Sequence, residues 1–293
     1  MLSVASMILM ILSTIIVLSF VVMMFVGQKF DYMVETLEDD SFQLKELYSV
    51  GFAWSNLIPA LDCKSSLGDK VRREVVLIYG DRFAEYYTRL YIAKALTFAH
   101  FIMAAMALIA GLVQDTSGLM LIAFGVVAGL LIAKNFLNEP HEKVAARAEE
   151  CVMEFPNFVT ELALLLNSGT TLRDAWFIVS GTTDGELNKL VLHSCELMNN
   201  GRSEKDAIHA FGVKSGSQEI KKFSVSVIQS IEKGNAELSD TMMQQSSELW
   251  DIKRQKLLQK GEEAATKLIV PTSLMFVGVI LVVLSSALSS MSF

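Results

Sequence analysis

Apolar residues in this chain are gathered into long runs instead of being spread evenly. The first 26 residues carry no charge, residues 268–293 carry none, and between residues 95 and 133 the only charge is Asp115. A helix needs about 20 apolar residues to cross a hydrocarbon layer of roughly 30 Å. The first and last runs each suffice for one span. The middle run suffices for two, and its centre, GLVQDTSGLM at 111–120, is made of turn-forming residues. It reads as a hairpin of spans at 94–113 and 118–137, which brings the total to four transmembrane helices.

Between these runs the pattern is that of amphipathic helices. Ile220, Phe223, Val227, Ile228 and Ile231 fall on one helical face, and Leu238, Met242, Leu249 and Ile252 mark a second stripe. That second helix meets no Gly or Pro from Glu237 until Gly261, so it is expected to run almost continuously into the last span, with Pro271, a turn candidate, near the membrane boundary. The stretch KVRREVVLIYGDRFAEYYTRLYIAKALTF at 70–98 reads as one helix entering the second span. Pro140 suits the first position of a helix, and Pro156 reads as an interruption or a restart.

Glycines punctuate the later part of the chain. Gly169, Gly201 and Gly234 are each predicted to end a helix. Thr171 and Ser203 each stand three residues before an aspartate, Asp174 and Asp206, which approximates a capping box. No period-2 alternation persists, so the fold class is all-α: a membrane protein of four transmembrane helices carrying an antiparallel helical bundle. The predicted layout is a first transmembrane helix at 1–26, a first polar helical region at 27–93, the transmembrane hairpin at 94–137, a helical bundle at 138–267, and a fourth transmembrane helix with a short tail at 268–293.

Charge adds orientation. All 25 Lys and Arg lie in two blocks, 9 in 27–94 and 16 in 134–267, while the hairpin loop has none. The positive-inside rule then places both blocks in the cytoplasm and both termini outside, in a multi-pass protein of the cell membrane. The first run lacks a basic leader region and exceeds the usual 7–15 apolar residues of a signal peptide, so it reads as a retained span. A net charge of −7 and a pI near 5.2 argue against a nucleic-acid partner. Cys63, Cys151 and Cys195 lie far apart and in the cytoplasmic blocks, which suits reduced, buried thiols.

Catalytic signatures are missing from the sequence. There is no GxxxxGK[ST], HExxH or GxSxG, and His100, His141, His193 and His209 do not stand at metal-ligand spacing. The chain reads as a non-enzyme without a cofactor. Apart from Lys94 and Lys134 near span ends, no Asp, Glu, Lys or Arg lies inside a span, which argues against ion transport. His100, close to the interface, reads as a packing residue. Small residues four apart, Ala107 with Gly111 and Gly125 with Gly129, allow close helix approach, either inside the hairpin or between subunits. The polar face that includes Asp251, Arg254 and Lys256 is either solvated or a docking surface.

Order and spacing then carry a resemblance. The segments PNFVTELALLLNSGTTLRDAW, GRSEKDAIHAFG and VSVIQSIEKGNAELSDTMMQQSSELWDIKRQKLLQKGEEAATKLIVPTSLMF are similar to the type II secretion system F domain, most of all to Flp/Tad-type pilus assembly proteins of the inner-membrane platform. The resemblance covers about 150–290 and rests on Pro156, Leu162, Gly169, Leu172, Gly234, Leu238, the basic run at 253–260, Ala264 and Pro271. Tandem-domain relatives favour a Gly-Glu pair before the glycine turn; here Ile231 precedes Glu232. The resemblance implies a platform protein with a cytoplasmic F-type bundle. Implied partners are a cytoplasmic secretion ATPase, pilin subunits, and a second F-domain platform protein or another copy of this chain. Glu232 joins Asp251, Arg254 and Lys256 as a candidate docking residue. A multi-pass transporter or a signalling scaffold is the alternative.

Overall fold

The computed structural model describes residues 4–30, 32–35, 42, 44–58, 65–113, 117–182, 184–231 and 235–291. Among these, every regular element is helical: α1 Val4–Gly27, α2 Tyr32–Glu35, α3 Tyr48–Leu57, α4 Ser66–Tyr79, α5 Ala84–Val113, α6 Ser117–Asn167, α7 Leu172–Ser180, α8 Gly185–Asn199, α9 Glu204–Lys214, α10 Gln218–Ile231 and α11 Asn235–Met291. Four helices, α1, α5, α6 and α11, are long and apolar enough to cross a membrane. The chain divides into two compact units, Met1–Arg147 and Ala148–Phe293.

In the first unit α1, α3 and α5 pack on one another. Its core gathers Tyr48, Phe52, Val71, Val75, Leu90 and Tyr91. Backbones meet closely there. A Cβ on Gly51 would fall on the Ala93 carbonyl, and one on Gly27 would fall on the Ser49 carbonyl. The Thr97 hydroxyl accepts from the Gly51 N–H at 3.0 Å and donates to the Ala93 carbonyl at 2.8 Å. It thereby gives a buried N–H in the first turn of α3 a side-chain acceptor.

The second unit is built around aromatic rings. Trp176, Phe155, Phe158, Phe211 and Phe223 are essentially inaccessible. Their ring centroids lie 4.9–6.3 Å apart, several edge to face. Trp176 donates from Nε1 to Ser194 Oγ at 2.8 Å, so the one polar atom of the buried indole is satisfied. Cys151 and Cys195 are buried and form no disulfide; Cys63 lies outside the described residues.

Three expectations are corrected. The stretch at 70–98 is two helices, broken where Gly80 takes φ 78°, a left-handed turn that needs glycine. Pro140 and Pro156 neither start nor interrupt a helix: both lie inside continuous α6. Each deletes one N–H donor, yet the bonds on either side and the buried contacts of Val152, Phe155, Phe158 and Val159 hold the helix together across Pro156. Pro271, expected at a turn near the membrane boundary, likewise lies inside α11.

Candidate functional site

The helical breaks of the second unit come first, because they set its shape. At the end of α6, the N–H of Gly169 bonds the Leu166 carbonyl at 3.0 Å and that of Thr170 bonds Leu165 at 3.1 Å. At the end of α8, Gly201 bonds Met198 at 3.2 Å and Arg202 bonds Leu197 at 3.0 Å. Both are Schellman closures, with Gly169 at φ 91° and Gly201 at φ 84°. Two residues after each glycine stands the next N-cap. Thr171 Oγ1 accepts from the Asp174 N–H at 3.2 Å and donates to its carboxylate at 2.7 Å. Ser203 makes the same pair with Asp206 at 3.1 and 2.7 Å. In a capping box the acid reaches back to the cap backbone; aspartate, one methylene shorter than glutamate, bonds the cap hydroxyl instead. The pattern Gly-x-Thr/Ser-x-x-Asp is thus used twice. The third break, at Gly234, lies outside the described residues, as does Glu232.

Two further left-handed glycines escaped the sequence reading. Gly185 (φ 89°) opens α8 and Gly216 (φ 70°) precedes α10. At Gly185 a Cβ would stand 2.6 Å from the Glu154 carboxylate, which accepts from the Leu187 N–H. Glu154 therefore serves the N-terminus of α8, where the N-cap Asp184 makes no side-chain cap bond.

The polar face of α11 was the candidate docking face. Lys256 is half-buried and pairs with Glu219 at 3.2 Å, while Asp251 and Arg254 are exposed. Burial pushes the Glu219 carboxyl up, but hydrogen bonds from the Ser217 hydroxyl and its own backbone N–H, with the Lys256 charge, outweigh it and hold the group below the usual carboxylate range. Lys260 pairs with Glu149 at 2.9 Å. On the buried side of α11, Leu238, Met242 and Leu249 enter the core, and Ser246 meets Thr160 at 2.8 Å.

In the first unit, the small residues face neighbours of the same chain. A Cβ on Gly111 would stand 2.6 Å from Ser13 Oγ, one on Gly125 would stand 2.7 Å from Met106, and one on Gly129 would stand 2.9 Å from the Ala99 carbonyl. Ala107 is fully buried. His100 is held at both ring nitrogens. Trp54 Nε1 lies 2.8 Å from Nδ1, and Ser19 Oγ lies 3.0 Å from Nε2. An indole N–H only donates, so Nδ1 accepts and the proton sits on Nε2, which donates to Ser19. Ser19 passes its own proton to the Ile16 carbonyl at 2.7 Å. This chain of donors ties α1, α3 and α5 together and leaves the imidazole no open position for proton transfer.

At the level where the apolar runs end, Lys94 pairs with Glu139 at 2.6 Å, almost out of solvent, and its ammonium lies over Phe42 and Phe136 at 5.2 and 4.9 Å. Among the described residues no group of three His, Cys, Asp or Glu side chains could hold a metal ion.

Comparison with known proteins adds one match. Residues 158–286 match the family model described as Type II secretion system (T2SS), protein F. The matched region runs from α6 through the glycine-closed hairpins and along α11. No curated protein and no solved structure matches the chain.

Proposed function

We propose that this chain is an inner-membrane platform protein of a type IV pilus of the Flp/Tad kind, or of a related secretion machine. In this reading the second unit is a cytoplasmic, antiparallel F-type bundle, and both termini lie outside. The protein couples a cytoplasmic secretion ATPase to the assembly of pilin subunits drawn from the bilayer, and it performs no chemistry of its own. Its platform contacts are with a second F-domain protein or another copy of itself.

The observation that carries the reading is the match of 158–286 to the T2SS protein F family, over a region whose last helix is both bundle and candidate span. α11 is 57 residues long, on the order of 85 Å at 1.5 Å per residue. A helix of that length, packed by Leu238, Met242 and Leu249 at one end and uncharged from Leu268 onward at the other, suits the transfer of displacement from a motor to the membrane. Asp251 and Arg254 on its exposed face, with Glu232 and Lys256, are the proposed docking residues.

The test uses the full-length protein in detergent with a secretion ATPase from the same organism. Co-purification is expected, weakened at least tenfold by a D251R/R254E double reversal. No co-purification of the wild-type pair, together with solute flux in liposomes carrying the protein, would replace this reading with that of a transporter.

A further inference from the structure

We propose that the cleft between α4 and α6 in the first unit binds the phosphodiester headgroup of an anionic lipid. The cleft encloses about 350 Å³ and is lined by Leu67, Lys70, Arg73 and Glu74 from α4 and by Leu137 and His141 from α6. Its level is set by the sequence of α6. Leu137 closes the apolar run of that helix, and Glu139, paired with Lys94, stands just beyond. The cleft therefore opens where hydrocarbon gives way to headgroups, so the inference rests on α6 being a span and not on any platform role.

Its charge suits one phosphate. Lys70 and Arg73 are three residues apart on one face of α4, both exposed, and neither makes an ion pair among the described residues. Val71 and Val75 anchor α4 in the core, so the helix cannot turn its cations away. Glu74, the one acid in the cleft, is already engaged with His141 Nδ1 at 3.2 Å. Two cations thus face the opening with their charge uncompensated. A basic pocket between helices at the membrane surface is the arrangement that captures acidic headgroups. Arg73 offers a planar fork for two phosphate oxygens and Lys70 a point charge. The apolar walls of Leu67 and Leu137 give an acyl chain a place to begin. Free phosphate would make no use of them, which favours a lipid as the source of the anion.

The experiment is native mass spectrometry of the full-length protein released from nanodiscs of phosphatidylcholine doped with phosphatidylglycerol. One phosphatidylglycerol should remain on each chain. The K70Q/R73Q variant should lose it, with apparent affinity down roughly 25-fold at about fivefold per basic residue. R72Q makes the same charge change on the other side of α4 and should keep it. Unchanged melting of both variants in phosphatidylcholine alone is the expected control; a K70Q/R73Q protein that melts early is replaced by K70R/R73K, which keeps the charge and should retain the lipid. Retention by K70Q/R73Q equal to wild type, or equal loss in R72Q, overturns the site. Displacement of the lipid by millimolar inorganic phosphate overturns the lipid and assigns the cleft to free phosphate.

Discussion

Glycine carries most of the residue-scale specificity in this protein, and in two distinct ways. At Gly51 the requirement is space. A Cβ would meet the Ala93 carbonyl, which belongs to a helix backbone and cannot swing aside. Gly51→Ala is expected to destabilise the chain by about 1–3 kcal/mol, as overpacking does, read as a lower melting temperature in detergent. Gly261, mid-helix with nothing within 4 Å, is the control; Gly261→Ala should stabilise by about 0.5–1 kcal/mol. At Gly169 the requirement is conformation: nothing crowds it, yet φ is 91°. Gly169→Ala should cost about 1–2 kcal/mol through backbone strain alone. The two roles differ in legibility. Gly169 and Gly201 stand between an apolar run and a hydroxyl cap, so their place shows in the sequence. Gly51, Gly185 and Gly216 do not, because what demands a glycine there is a neighbour far along the chain or a turn without a flanking pattern.

At the scale of elements, α7 and α9 begin with the same device. Thr171→Ala and Ser203→Ala each remove a cap hydroxyl that satisfies a backbone N–H, and each should cost about 1 kcal/mol, measured by thermal unfolding of the full chain. The helix α10 adds a pH dependence. Glu219 has its carboxyl held below the ordinary range in the folded state. A depressed folded value means the stabilisation is present above the unfolded carboxyl value, about 4.3. It is lost as pH falls through the folded value. The drop in melting temperature between pH 7 and pH 3 should be smaller in Glu219→Gln than in the wild type. An equal drop would mean the pairing with Ser217 and Lys256 contributes nothing. The prolines show where element boundaries were misjudged. Pro140 and Pro156 look like boundaries locally, but buried residues on both sides of Pro156 keep α6 continuous.

For the whole molecule, the distribution of Lys and Arg gives the orientation proposed here a direct test. In a cysteine-free background, Ser117→Cys in the hairpin should react with a membrane-impermeant maleimide in intact cells. Asp251→Cys should react only after permeabilisation. The reverse pattern would invert the proposed topology and remove the ATPase from reach of α11. The native thiols serve the same assay differently. Burial pushes the Cys195 thiol up, beyond the help of its Ser180 contact and the Arg173 charge. In a C63A/C151A variant the folded protein should therefore resist labelling at pH 7, and Cys195 should become reactive only on unfolding.

The sequence by itself determined the helical class, the four apolar runs and two of the glycine closures, because each rests on interactions spanning only a few residues: period, length, cap and turn. It also carried the resemblance to the type II secretion system F domain, which the match at 158–286 supports. The tertiary structure alone decided which small residues meet which backbone, that His100 is locked between Trp54 and Ser19, and that Lys70 and Arg73 share a cleft with Leu137. Those are pairings between residues about 20 to 80 positions apart, with partners set by how whole helices pack. The charge, size and polarity of a single residue do not reveal a neighbour that only folding brings near.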